Sequence, residues 1–126
     1  MNDDIIKRLK ELKIEDYIWI LYIGIILASL YSNVFERKYF LYNDLDAKKK
    51  YRNITIVIFI ILTLVYTYFL KGSFDDYKNL KNTDSKEYKN LVTLSFIGSL
   101  LIFISGIIFL YIAIKDENID VEVAFN

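Results

Sequence analysis

The chain has 126 residues, equal numbers of basic and acidic side chains, and neither cysteine nor histidine. A length of this order fits one domain. The missing residue types exclude disulfides and thiolate chemistry and remove the commonest general base and transition-metal ligand, while zero net charge provides no basic field for nucleic acid.

Hydrophobic residues make up 55% of the chain and charged residues 25%. Their segregation into apolar and charged blocks is the pattern of a membrane protein. Three runs lack Asp, Glu, Lys and Arg: residues 17–35, 53–70 and 91–114. Each has the roughly 17–25 residues that a helix needs to cross a hydrocarbon core about 30 Å thick. The spacing therefore predicts an all-α membrane protein, with three transmembrane helices in an antiparallel bundle and a short N-terminal amphipathic helix. All 126 residues are expected to form one integral membrane domain.

Residues 3–16 are expected to form the amphipathic helix, started by Asp3 or Asp4. Ile5, Ile6, Leu9 and Leu12 repeat at helical spacing, while Lys7, Arg8, Lys10, Glu11 and Lys13 fall largely elsewhere. A helix of about 12 residues is marginal in water; the headgroup region would stabilise it. A juxtamembrane lead-in and a partner-binding helix are both open readings. The leader is too long and too mixed in charge for a cleaved signal peptide, so the first run is expected to stay.

The first span carries Tyr17 and Trp19 at its start and Tyr31 and Phe35 near its end, ring types that favour membrane interfaces. A first loop is expected over 36–52, with Lys48, Lys49, Lys50 and Arg52 as a basic knot. The second span is rich in β-branched residues, Ile54 to Ile58. In water that would suggest a strand. A lone strand in lipid would leave its backbone groups unpaired, so a helix is expected.

The second loop, residues 71–90, contains Ser73 with Asp76 as a cap pattern. Phe74, Tyr77 and Leu80 follow on one helical face. Asp84 followed by Glu87 predicts that the third helix starts near 84, outside the bilayer, and is the longest element. In the tail, 115–126, Ile119, Val121, Val123 and Phe125 alternate with Asp120, Glu122 and Ala124. That period is a strand signature. An isolated strand is unstable, so the alternatives are a frayed acidic tail or addition to another sheet edge or to a copy of itself.

Orientation follows from lysine and arginine at the span ends. The side holding the N-terminus and second loop has nine, and the other has seven. This predicts a multi-pass protein of the cell membrane with its N-terminus cytoplasmic and its C-terminus outside. The abundance of Ile, Lys, Asn and Tyr is that of an AT-rich genome, as in a low-GC bacterium.

Small residues let helices approach closely in lipid. Gly24, Ala28 and Ser32 repeat at four in the first span, and Ser95, Gly98, Ser99, Ser105 and Gly106 lie near one face of the third. Thr63 and Thr67 form a lesser pair in the second. These stripes would pack the first helix against the third, or one of them would mediate an oligomer. Substituting Ile for Gly24, Ala28, Ser32, Gly98, Ser99 or Gly106 is expected to weaken assembly.

No span carries an ionisable group other than Tyr, whereas proton relays and ion-coupled transport usually need one. Asp75, Asp76, Asp84 and Glu87, and Asp116, Glu117, Asp120 and Glu122, lack EF-hand spacing. The expectation is a non-enzymatic protein with no catalytic residue, cofactor or metal. It would act by helix packing with the bilayer and another membrane protein or a copy of itself, in an accessory, regulatory or immunity-type role. In size and span count the layout is also similar to that of holins, which implies a pore-forming alternative.

Overall fold

The computed structural model describes residues 2–123. Among them are three α-helices and no strand: α1 (Asp3–Tyr42), α2 (Leu45–Lys78) and α3 (Lys86–Lys115). All three are long and apolar enough to cross a membrane. At 1.5 Å per residue they measure about 60, 50 and 45 Å, so each extends beyond its apolar run. Two compact units divide the chain within α2, one ending at Ile54 and the next beginning at Thr55.

Residues 3–16 are not a separate helix. They form the first turns of α1, which continues without a break through the first apolar run. Lys, Arg, Glu and Leu are strong helix formers, and no glycine or proline interrupts residues 3–16. Asn2 caps the start rather than Asp3 or Asp4: its Oδ1 accepts from the Asp4 N–H at 2.9 Å. Asp3 and Asp4 occupy the first turn, where the helix dipole favours carboxylates. Arg8 pairs with Glu11 and Glu15 at 3.4 and 3.6 Å.

The broad first loop expected over 36–52 contracts to two non-helical residues, Asn43 and Asp44. Asn43 ends α1 in the left-handed conformation, φ 52° and ψ 38°, with its N–H donating to the Tyr39 carbonyl at 2.8 Å. Asparagine tolerates this region better than most residues. Asp44 then starts α2, its Oδ1 accepting from the Ala47 N–H at 3.1 Å. Asn43→Gly should leave the hairpin intact. Asn43→Val, which places a branched Cβ at positive φ, should cost about 1–2 kcal/mol. Helix loss followed by circular dichroism during titration with sodium dodecyl sulfate reads both variants; equal stability would remove the strain argument.

The second loop is likewise shorter than expected, because α2 runs to Lys78. Ser73 is no cap. It lies inside α2, with its Oγ donating to the carbonyls of Phe69 and Leu70 at 3.1 and 3.2 Å. The third helix starts at Lys86 on a Ser85 cap, whose Oγ accepts from the Tyr88 N–H at 3.1 Å. Asp84 instead holds the turn before it, accepting from the Lys81 N–H at 2.8 Å. At 30 residues α3 is the shortest helix, and α1 at 40 is the longest. Charged flanks lengthen α1 and α2, whereas the asparagines at 79 and 82 and the cap at Ser85 hold α3 back.

After α3 the tail forms turns. The Asp116 carboxylate accepts from the N–H groups of Asp120 and Val121 at 3.1 and 2.8 Å. This ties down a segment in which Ile119 has a φ of 49°, a rare position for a β-branched residue. The alternating pattern therefore produces no strand through Val123, and its last members, Ala124 and Phe125, lie outside the described residues.

Candidate functional site

Two parts of the molecule combine chemistry and geometry: the contact between α2 and α3 in the unit from Thr55, and the hairpin end in the unit up to Ile54. The first is built from rings and one glycine. Phe59 and Phe109 stand 5.8 Å apart, and Phe96 lies 5.5 Å from Phe74 and 5.3 Å from Tyr77, stacked on the latter. Between these pairs Gly106 faces Tyr66 and Thr63. A Cβ at Gly106 would stand 2.9 Å from Tyr66 Cδ2 and 3.2 Å from Thr63 Oγ1. Residues early in α2 thus meet residues late in α3, and later ones meet earlier ones.

Thr93, Gly98, Phe109 and Ile112 of α3 are half-buried, and its other less exposed positions are Lys89, Val92, Phe96, Ser99, Phe103, Gly106, Leu110 and Ala113. The separations within this second set alternate between three and four, the spacing of a left-handed coiled-coil seam. In α1 the same alternation runs through Glu11, Glu15, Ile18, Tyr22, Ile25, Ser29, Ser32, Glu36 and Tyr39, while Ala28, Asn33 and Phe35 are also less exposed but lie off that line. Large side chains fill most seam positions, and the small ones form gaps between them.

The small residues expected at contacts fall into two groups. Gly106 and Ser32 are buried, and Ala28, Gly98 and Ser99 are half-buried. Gly24, Ser95 and Ser105 are exposed. A Cβ at Gly24 or Gly98 would meet nothing within 4 Å. Ser32 and Ser105 donate to carbonyls of their own helices, at 2.8 Å to Ser29 and 2.9 Å to Leu101. Such internal bonds satisfy a hydroxyl without a neighbouring helix. Thr63 differs: its buried Oγ1 has no hydrogen-bond partner, though its carbonyl accepts from Thr67 Oγ1 at 2.8 Å.

Attention to small residues alone misses Phe59, Tyr66 and Phe96. Phe59 is the largest fully buried side chain, 1% exposed. The detectable signal is the spacing of three and four within α3, which places Phe96, Phe103 and Gly106 on one line.

At the hairpin end, cations gather on aromatic rings. The Lys38 and Lys50 ammoniums, one from each helix, lie over the same Phe35 ring at 5.9 and 5.4 Å from its centroid. Lys48 lies over Tyr39 at 5.3 Å. Ring faces attract cations at this range. Phe35 is itself buried and stacks edge-on against Tyr31 at 4.9 Å. Among the described residues, neither Lys38 nor Lys50 has a carboxylate partner. The segment from Glu36 to Arg52 holds six lysines and arginines against three carboxylates, and one of those, Asp44, caps α2.

No protein-family model matches the chain, and no curated protein or solved structure shows significant similarity to it.

Proposed function

We propose that this chain is a multi-pass membrane protein that acts by helix packing, without catalytic chemistry of its own, on another membrane protein or on a second copy of itself. The observation that carries the reading is the outward face of all three helices. Ile20, Ile23, Leu27 and Leu30 of α1, Leu64 of α2, and Leu94, Leu101 and Ile108 of α3 are all exposed. Soluble monomers rarely expose contiguous apolar patches above a few hundred Å². Lipid removes that penalty, because the acyl chains are as apolar as the side chains.

In this reading the three helices form an antiparallel bundle, the arrangement favoured by connections as short as Asn43–Asp44 and 79–85. The membrane is the cell membrane, with the N-terminus cytoplasmic. Gly24 and Gly98 support a partner helix, since both leave open space in which a second backbone can approach.

The chain has no cysteine, so a single Gly24→Cys variant carries one unambiguous cross-linking site. In bacterial membranes it should resist carbonate extraction, leave the membrane potential unchanged in a dye assay, and form a cross-linked complex. Release by carbonate would end the membrane reading. Prompt depolarisation would favour the holin-like pore instead. An unchanged potential with only monomer, both from Gly24→Cys and from Gly98→Cys, would count against action through helix packing.

A further inference from the structure

We propose that Lys38 and Lys50, held on the Phe35 ring, with Lys48 on Tyr39, form a binding site for the phosphate of an anionic phospholipid at the hairpin end of α1 and α2. The inference rests on the membrane reading and adds a specific ligand chemistry to it.

Three observations point to a lipid phosphate. The first is depth. Phe35 closes the first apolar run and Asn53 opens the second, so the ammoniums stand at the edge of the hydrocarbon, where headgroup phosphates lie. The second is charge. Two ammoniums from different helices converge on one ring with no carboxylate partner among the described residues, in a segment with an excess of three positive charges. Like charges repel, and an anion between or beside them relieves that repulsion. The third is rigidity. The two-residue turn, the Asn43 and Asp44 caps and the buried Phe35 hold the two helices together, so the lysines are gathered before a ligand arrives. Preorganisation of this kind lowers the entropy cost of binding. Basic clusters beside a span attract anionic lipids generally; here two aromatic rings and two helices localise the attraction.

The other end of α1 is a natural control. Arg8 there is already paired with Glu11 and Glu15, and among the described residues Lys7 and Lys10 lie over no aromatic ring.

The test is electron paramagnetic resonance of spin-labelled phosphatidylglycerol and phosphatidylcholine in phosphatidylcholine vesicles containing the full-length chain. The wild type should restrict phosphatidylglycerol in preference to phosphatidylcholine by about fivefold, the order that one cation contributes near an anionic lipid. Lys38→Gln with Lys50→Gln should bring the ratio close to one. Lys38→Arg with Lys50→Arg should keep the preference, because arginine retains the charge and stacks on rings. Lys7→Gln with Lys10→Gln should leave it unchanged. Equal restriction of the two lipids by the wild type would overturn the proposal. So would loss of preference in the arginine variant, which would mark a packing effect, or loss in the Lys7 and Lys10 variant, which would mark a diffuse surface potential. Protein that fails to insert into the vesicles would overturn the membrane reading as well; inserted protein without preference would overturn the lipid site alone.

Discussion

Gly106→Ile is expected to separate α2 from α3, whereas Gly98→Ile and Gly24→Ile leave that contact intact. The first Cβ atom at residue 106 would already stand 2.9 Å from the Tyr66 ring and 3.2 Å from the Thr63 hydroxyl. A ring carbon close to its own backbone cannot move as freely as the end of a lysine. Isoleucine adds further branches to the same space, and overpacking of this type costs about 1–3 kcal/mol. A contact in lipid has little hydrophobic driving force to offset that loss. At Gly24 and Gly98 a Cβ meets nothing within 4 Å, so the effect on the fold should stay within about 0.5 kcal/mol. Titration with sodium dodecyl sulfate, read by circular dichroism, gives the order. Equal loss in all three would mean that Gly106 is no special contact. Gly24→Ile also probes the proposed partner when combined with Gly98→Cys: a fold that survives with cross-linking abolished would place the partner at Gly24.

Phe59→Ala is expected to be the most damaging truncation in α2, and Leu64→Ala nearly silent. Phe59 is 1% exposed and packs on Phe109, while Leu64 is 66% exposed. In a soluble core, Phe→Ala costs roughly 3–5 kcal/mol, of which part is transfer of the side chain from water and part is the cavity left behind. In lipid the transfer part largely disappears, because the unpacked ring faces acyl chains. The cavity and the lost dispersion remain, and about 2 kcal/mol is the resulting expectation. Leu64 exchanges one apolar surrounding for another and should change stability by less than about 0.5 kcal/mol. If both truncations prove equally mild, ring packing does not hold α2 to α3.

The existence of three long apolar helices was legible in the sequence, because absence of charge over 18 or more residues needs no knowledge of neighbours. Their ends were less legible. Composition marks where a helix leaves the hydrocarbon, not where the helix stops, so the charged flanks 36–42 and 45–52 looked like loop but continue the helices. Ser73 illustrates the same ambiguity: a serine before an acidic residue resembles a cap, yet its hydroxyl bonds back to its own helix. The tail shows a third kind of miss. Alternation predicts a strand only where a partner strand exists, and the Asp116 turns take its place.

By itself, the sequence determined the helical class, the apolar lengths, the exclusion of cysteine and histidine chemistry, and the set of small residues from which helix contacts could be drawn. Those properties depend on residue type and on near neighbours along the chain. Tertiary structure alone decided that Gly106 is the glycine pressed against a ring while Gly24 and Gly98 stay open, and that Lys38 and Lys50 meet over one phenylalanine. Both outcomes depend on which residue of a second helix comes opposite. Rotating a helix by one residue, about 100°, would exchange a packed glycine for an exposed one without changing any local preference.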